Sequence, residues 1–291
     1  MRGNAAAHEL VAPASLPAVL DLLAAAPGQW TPIAGGTELM VAFAAGRLTA
    51  SKLVNLWGIS ELRFIDSQPG HLALGGGTTF SDLRSNPIVA SEFPLLDKSA
   101  SWIGSIANQA RATLGGNLVN GSPAADSSPA LLVYEAEVEL ISVRGKRRMP
   151  YCEFHTGYKE NAMTADELLY AVHLPRRFAH HRKYLRKVGT RRAMAISKVA
   201  LGGTALMKDG AIEEIRIAAA SLAPFPARLL KTESMLAGKA PTADVIDLAR
   251  QSLLVEAQPI DDIRSTAQYR KAVGANLLEE FLITLNREPV A

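Results

Sequence analysis

Cysteine is almost absent from this sequence, because Cys152 is the only one among 291 residues. A single cysteine forms no internal disulfide and cannot by itself hold a structural zinc ion or an iron–sulfur cluster. The composition therefore excludes a disulfide-rich secreted module and fits a reducing compartment such as the cytoplasm. We interpret Cys152 as a small packed hydrophobic residue rather than as a nucleophile.

The chain also lacks a large net charge and a long apolar run. The formal net charge is only +3, and aromatic residues make up 6% of the chain. Without a focused basic patch, such a chain is not expected to bind nucleic acid. No apolar run approaches the roughly 18 residues that a membrane-spanning helix needs, and the first residues lack the apolar segment of a secretory signal. We therefore expect no membrane span and a cytoplasmic location.

Hydrolytic and metal-binding constellations are missing as well. None of the six histidines has metal-ligand spacing with carboxylates. The chain has neither a Rossmann Gly-x-Gly-x-x-Gly fingerprint nor a P-loop. We assign no catalytic residue and no metal ligand, and we expect the chemistry to belong to a bound cofactor.

Two glycine-rich turns stand out against this background. One is Thr113-Leu114-Gly115-Gly116-Asn117, and the other lies within Pro32-Ile33-Ala34-Gly35-Gly36-Thr37-Glu38-Leu39. Glycine lets a backbone approach a flat or anionic ligand closely. Asp126 follows Thr113–Asn117, the second of the two motifs in chain order, in a run of small residues and could accept a hydrogen bond from a ribose hydroxyl. Together these features predict a nucleotide or dinucleotide site of a non-Rossmann type.

The segment Arg176–Arg192 is unusually basic, with eight lysines and arginines and two histidines. A solvated face is the default interpretation, and a nucleic-acid patch is the least favoured. The remaining alternative is a site or docking role, for which Lys187 is the residue to test. We place a domain boundary in this segment, which gives domains at 1–177 and 178–291.

The second half has a simple secondary-structure pattern. Two strand-like runs around the Asp209-Gly210 turn predict an antiparallel hairpin. Three helical patterns follow, at about 226–237, 242–257 and 266–286. A sheet followed by helices predicts a small α+β domain.

The two glycine motifs and the run Ser122–Leu131 resemble the FAD-binding medium subunit of molybdenum hydroxylases. This family includes bacterial xanthine dehydrogenases and carbon monoxide dehydrogenases. The similarity continues through Lys187–Val199 and Pro259–Arg270, in family order across nearly the whole chain. The resemblance implies an α+β fold. A two-part FAD-binding domain of the vanillyl-alcohol-oxidase (PCMH) type would precede a C-terminal domain with a three-stranded antiparallel sheet and a helix bundle.

The resemblance also implies roles for individual residues. Both glycine motifs would wrap the FAD pyrophosphate and neighbouring groups, largely through backbone N–H groups, and Asp126 would hydrogen-bond the FAD. Ile103, Leu169 and Lys187 match positions that lie against the flavin, although plain core packing explains Ile103 and Leu169 equally well. The implied cofactor-binding set is Pro32, Ile33, Ala34, Gly35, Gly36, Thr37, Glu38, Leu39, Ile103, Thr113, Leu114, Gly115, Gly116, Asn117, Asp126, Leu169 and Lys187.

The implied function is an electron relay. A large molybdopterin subunit would oxidise the substrate, and a small subunit with [2Fe–2S] clusters would pass electrons to FAD. The FAD, which we expect to be non-covalent, would then reduce NAD, oxygen or another acceptor. The molybdenum cofactor and the clusters would lie only in these partner subunits, and the assembly would be a dimer of heterotrimers.

Two alternatives remain open from the sequence. One is a stand-alone flavoprotein oxidoreductase of the same fold, and the other is a nucleotide-binding subunit without redox activity. The substrate also stays open among purines, nicotinate-like heterocycles, aldehydes and carbon monoxide. The loop Arg191–Ala195 is more similar to xanthine dehydrogenase subunits than to the carbon monoxide enzymes.

Overall fold

The chain begins with a small parallel sheet. The computed structural model describes residues 3–191 and 194–286, so Arg192 and Ala193 of the loop Arg191–Ala195 lie outside the described residues. Three strands pair in the order β1-β3-β2, and two helices connect them. The elements are β1 (Glu9–Val11), α1 (Leu16–Ala25), β2 (Thr31–Ile33), α2 (Leu39–Ala44) and β3 (Lys52–Asn55).

Helix α1 forms where its sequence signals place it. The Ser15 hydroxyl accepts a hydrogen bond from the Ala18 N–H at 3.4 Å, and Pro17 occupies the first turn. These are the usual features of a helix start, because proline lacks an N–H that the first turn leaves unpaired. The helix buries Leu16, Val19, Leu20 and Leu23, at the spacing of one helical face.

A five-stranded antiparallel sheet forms the second layer, in the order β4-β5-β10-β6-β7. Its long central strand β10 pairs with β5 on one side and β6 on the other. A separate two-stranded hairpin, β8 with β9, lies beside it. The strands are β4 (Ile65–Ser67), β5 (His71–Gly75), β6 (Glu137–Ser142), β7 (Gly145–Pro150), β8 (His155–Gly157), β9 (Glu160–Asn161) and β10 (Leu168–Pro175).

Six short helices separate β5 from β6 and cover this sheet. Helix α8 is buried along its whole length and packs against the C-terminal sheet. The helices are α3 (Phe80–Ser85), α4 (Pro87–Glu92), α5 (Pro94–Ala100), α6 (Ile106–Gln109), α7 (Leu114–Val119) and α8 (Ser128–Val133).

The C-terminal part is an antiparallel sheet covered by helices, in the strand order β11-β12-β13-β14. The predicted Asp209-Gly210 turn joins β12 to β13, and Asp209 and Gly210 both have positive φ angles, 50° and 78°. The elements are β11 (Arg182–Val188), β12 (Val199–Lys208), β13 (Ala211–Ala220), β14 (Ala227–Arg228), α9 (Leu230–Leu236), α10 (Ala243–Glu256) and α11 (Ala267–Leu285).

The α+β prediction is confirmed, with one correction to the C-terminal sheet. We expected three strands, but the short strand β14 pairs with Ala218 and Ala219 as a fourth. The pairing is only two residues long, and its sequence has no alternating apolar pattern that could have predicted it.

The structure also corrects the interpretation of Cys152 and of the basic segment Arg176–Arg192. Cys152 is exposed in a short 3₁₀ turn, so the expectation of a packed cysteine is wrong. The basic segment is not a uniformly solvated face, because its Arg182–Val188 part is strand β11 and buries Tyr184 and Leu185. This strand was not predicted, because its arginine and lysine residues leave no regular alternation of apolar and polar residues.

Candidate functional site

A cleft opens in the N-terminal half, between the small parallel sheet and the ends of strands β5 and β10 of the five-stranded sheet. Its volume is about 370 Å³, which falls within the range of small-molecule sites. Both glycine motifs contribute to its wall. The lining residues are Thr31, Pro32, Ala34, Gly35, Gly36, Thr37, Glu38, Leu39, Leu56, Trp57, Ile59, Leu62, Arg63, Gly76, Gly77, Ile103, Ala112, Thr113, Gly115, Gly116, Asn117, Val119, Asn120, Met163, Leu168 and Leu169.

The first glycine turn lines the cleft with unpaired backbone donors. The N–H groups of residues 34–38 donate to no acceptor in the described part of the chain. Gly36 has a φ of 75°, which a side chain would disfavour. Consecutive N–H groups left without protein acceptors form a binding surface for an anion such as a diphosphate.

Gly35 holds this turn against the second motif. A Cβ atom built on Gly35 would lie 1.7 Å from the carbonyl oxygen of Arg111. The two backbones are therefore in direct contact, and Arg111 precedes Thr113 by only two residues. This contact brings the two motifs to the same cleft.

We expect Gly35→Ala to move the first turn away from Arg111. The strain should lower the free energy of unfolding by about 1–3 kcal/mol and weaken cofactor binding as well. Urea denaturation and a cofactor titration measure the two effects. Gly58→Ala is the matched control, because nothing lies within 4 Å of a Cβ atom at that position. Equal stability and affinity in the two variants would contradict the packing described for Gly35.

The second motif presents its donors differently from our expectation. Leu114 N–H donates to the Thr78 carbonyl, Gly115 N–H to the Gly76 carbonyl, and Gly116 N–H to the Thr113 hydroxyl. Asn117 N–H donates to the Thr113 carbonyl at 3.0 Å. These bonds start helix α7, so the expectation that this motif binds mainly through backbone N–H groups is corrected. The Thr113 N–H and the side chains of the motif remain as its binding groups.

Two side chains of the second motif can serve the cleft. The Thr113 hydroxyl accepts from Gly116 and keeps its own proton free to donate. Asn117 accepts a hydrogen bond at Oδ1 from the Ser127 hydroxyl, at 2.6 Å. Its Nδ2 has no partner among the described residues. An amide nitrogen placed in this way can donate to an oxygen of a ligand.

A third glycine segment and one aromatic residue also line the cleft, and neither was predicted from the sequence. Gly76 and Gly77 follow β5, and a Cβ atom on Gly115 would lie 2.7 Å from the Gly76 carbonyl oxygen. The triple glycine at 75–77 was the available signal. Trp57 also lines the cleft, and the Arg111 guanidinium stacks 3.8 Å from its ring centroid. No sequence pattern marked Trp57.

Most predicted residues meet at the cleft, and four do not. Ile103 and Leu169 lie in its wall, although Leu169 is also part of the buried core. Pro32, Ala34, Gly35, Gly36, Thr37, Glu38, Leu39, Thr113, Gly115, Gly116 and Asn117 line it too. The residues that the structure does not place in the lining are Ile33, Leu114, Asp126 and Lys187.

Asp126 and Lys187 instead bind each other where the two halves of the chain meet. Lys187 Nζ lies 2.5 Å from Asp126 Oδ2, and the Ser197 hydroxyl donates to Oδ1. Asp126 is 7% exposed. Burial raises the pKa of Asp126, whereas the Lys187 ammonium and the Ser197 hydroxyl act in the opposite direction. The pair thus ties the segment before α8 to strand β11.

Within residues 3–191 and 194–286, no cluster of histidine, cysteine or acidic residues is arranged to hold a metal ion. Among the helices of these ranges, none is long and apolar enough to cross a bilayer.

Comparison with known proteins assigns the class to which this fold and cleft belong. Residues 6–177 match the model of the FAD binding domain in molybdopterin dehydrogenase. Residues 184–285 match the CO dehydrogenase flavoprotein C-terminal domain. The first match alone covers more than half of the chain. The chain therefore belongs to the family of FAD-binding subunits of molybdopterin dehydrogenases, and the recognition made from the motifs is confirmed.

Individual relatives agree with this assignment. The xanthine dehydrogenase FAD-binding subunit of Escherichia coli O157:H7 is 30% identical over 259 residues, which cover 88% of each chain. The nicotinate dehydrogenase FAD-subunit of Eubacterium barkeri is 28% identical over 258 residues, 87% of each chain. A solved carbon monoxide dehydrogenase from Hydrogenophaga pseudoflava superposes with a TM-score of 0.89 at 26% identity, covering 94% of this chain and 95% of that one.

Proposed function

We propose that this chain is the flavin subunit of a multi-subunit molybdenum hydroxylase. It would accept electrons from [2Fe–2S] clusters of a small partner subunit onto non-covalent FAD and pass them to NAD, oxygen or another acceptor. A large partner subunit with the molybdenum cofactor would oxidise the substrate. The observation that carries the flavin-binding part is the row of unpaired N–H groups at residues 34–38, which line the cleft in a chain with an FAD-binding domain.

The cleft fits the chemistry of FAD group by group. In this proposal the unpaired N–H groups of the first turn bind the diphosphate, because charge-assisted hydrogen bonds are stronger than neutral ones. The Thr113 hydroxyl and the Asn117 amide of the second motif donate to further oxygens. Ile103 and Leu169 supply an apolar surface that excludes water from the flavin ring. Bound FAD supplies redox chemistry that accepts electrons singly or in pairs.

The cleft favours an electron relay over a stand-alone oxidase. Among its described lining residues, the only ionisable side chains are Glu38 and Arg63. The Glu38 side chain is 62% exposed, and Arg63 makes a two-pronged ion pair with Asp82 at 2.8 and 2.9 Å. Neither is a buried base next to the predicted flavin wall, so the described lining of the cleft offers no buried group for proton abstraction from a substrate.

We propose that partner subunits assemble with this chain. The medium chain of the Hydrogenophaga pseudoflava carbon monoxide dehydrogenase is 27% identical over 280 residues, and its name implies further chains. By analogy we propose a large and a small partner and a dimer of heterotrimers.

The boundary between domains 1–177 and 178–291 is supported by the ends of the two family matches. We also propose a cytoplasmic location, because a chain with one cysteine suits a reducing compartment.

Selectivity among flavins tests the role of the first turn. We expect the full chain to bind FAD at least about a hundredfold more tightly than riboflavin, because riboflavin lacks the phosphates that would accept several charge-assisted hydrogen bonds. Fluorescence titration of the flavin-depleted protein measures both affinities. Equal affinities would show that the unpaired N–H groups bind no phosphate.

Purification with partners tests the relay. A tagged chain isolated gently from cells that express it naturally should bring down one iron–sulfur protein and one molybdenum protein. In that complex, substrate should bleach the flavin absorbance. A metal-free single chain that oxidises a substrate by itself would contradict the relay and favour the stand-alone enzyme.

A further inference from the structure

Three consecutive polar residues before and at the start of helix α8 are buried. Asp126 is 7% exposed, and Ser127 and Ser128 are fully buried. Each side chain is bonded to a different part of the molecule. Asp126 reaches Lys187, as described above, and Ser128 shares a hydrogen bond of 2.7 Å with the hydroxyl of Tyr151. Of the three, only Ser127 is bonded to a residue in the lining of the cleft.

The Ser127 hydroxyl is bonded to one end of an amide that belongs to the lining of the cleft. The Ser127 hydroxyl donates to Asn117 Oδ1 at 2.6 Å, while Asn117 Nδ2 has no partner in the described residues. The oxygen and nitrogen ends of an asparagine amide have nearly the same shape and opposite hydrogen-bonding roles. In the structure the hydroxyl donates to the amide oxygen, and the NH₂ end of this cleft-lining residue has no protein partner in the described residues and is available to a ligand.

This orientation matters because the second motif has few other donors. The backbone N–H groups of residues 114–117 are already bonded within the protein. The second motif thus depends on the Thr113 hydroxyl and N–H and on the Asn117 amide for its contacts with a ligand. If the amide turned over, its oxygen would face the cleft and would repel an anionic or carbonyl oxygen of a ligand.

We propose that Ser127 is a positioning residue for the cofactor. It holds the Asn117 amide so that the nitrogen donates to an oxygen of bound FAD, and it acts only through Asn117. The inference rests on the proposed function, since it requires FAD in this cleft. It assigns a role to a buried serine that lies outside both glycine motifs and does not line the cleft.

The test compares two neighbouring buried serines in the full chain, or in its complex if the isolated chain does not take up FAD. Ser127→Ala should weaken FAD binding about three- to tenfold, the effect of one net hydrogen bond. Ser128→Ala is the matched control, because it removes an equally buried hydroxyl whose partner is Tyr151. It should leave FAD affinity unchanged. Thermal denaturation of both apoproteins reports any general loss of structure.

A double-mutant cycle separates positioning from a structural effect. In the Asn117→Ala background, Ser127→Ala should cause no further loss of FAD affinity, because no amide remains to be oriented. The same three- to tenfold loss in both backgrounds would overturn the proposal, and so would a Ser127→Ala protein that binds FAD like the wild type. Wild-type protein that binds no FAD would overturn the proposed function together with this inference.

A second variant keeps the test decisive if Ser127→Ala does not fold. Asn117→Asp places an oxygen at both ends of the side chain, so one oxygen must face the cleft. It should bind FAD more weakly than Asn117→Ala does, because the carboxylate would repel a ligand oxygen. An Asn117→Asp protein with wild-type affinity would contradict the claim that the nitrogen faces FAD.

Discussion

Gly116→Val is expected to yield a folded protein that is nearly free of flavin. Gly116 lies in the wall of the cleft and is exposed there, so a branched side chain would project into the space of the cofactor. Within the protein, its Cβ atom would meet only the Thr113 hydroxyl, at 2.9 Å. We expect the FAD dissociation constant to rise about a hundredfold, or roughly 3 kcal/mol, as measured by fluorescence titration.

Gly70→Val is the control for this substitution. Gly70 lies in the turn between β4 and β5, and a Cβ atom there would have nothing within 4 Å. This variant should keep wild-type FAD affinity and stability. If a well-folded Gly116→Val protein retained its flavin, the second glycine motif would not approach the cofactor closely.

Lys187→Met is expected to destabilise the protein strongly. The substitution would leave the Asp126 carboxylate buried without its ammonium partner, and breaking a buried ion pair costs about 3–5 kcal/mol. The free energy of unfolding from urea denaturation measures this loss. Lys208→Met is a matched control on the surface, because Lys208 and Glu213 are both exposed and 3.6 Å apart. It should change stability by less than about 1 kcal/mol.

Neutralising Asp126 in the Lys187→Met variant should restore most of the lost stability. In Asp126→Asn with Lys187→Met, the buried site carries no charge, and the Ser197 hydroxyl keeps an acceptor. We expect the double variant to lie within about 1–2 kcal/mol of the wild type. If Lys187→Met were as stable as Lys208→Met, the pair would not link the two halves of the chain as described.

Short sequence patterns predicted the parts of the fold that depend on interactions between neighbouring residues, such as helix starts and turns. Ser15 with Pro17 marks a helix start, and Asp209-Gly210 marks a hairpin turn, because each satisfies a backbone requirement within a few residues. The two glycine motifs were also visible as sequence. Their presence in one half of the chain predicted a shared nucleotide site, but no local rule places Gly35 against Arg111.

Where the observed cleft differs from the prediction, the cause is a contact between segments that are far apart in the sequence. Trp57 and Gly76 line the cleft because β3 and β5 end there, and neither segment carries a nucleotide motif. Asp126 was assigned to the cofactor from its place in the motif. The structure gives it Lys187 as a partner, 61 positions along the chain. Burial and the pairing of opposite charges decide such contacts, and one-dimensional spacing does not contain them.

The most direct test of the central claim is the visible spectrum of the gently purified protein, before and after acid precipitation. We predict flavin absorption bands that move completely into the supernatant, where mass spectrometry should identify FAD. Bands that stay with the precipitate would contradict non-covalent binding. A colourless protein that takes up no added FAD, alone or with its partners, would contradict the assignment of the cleft as a flavin site.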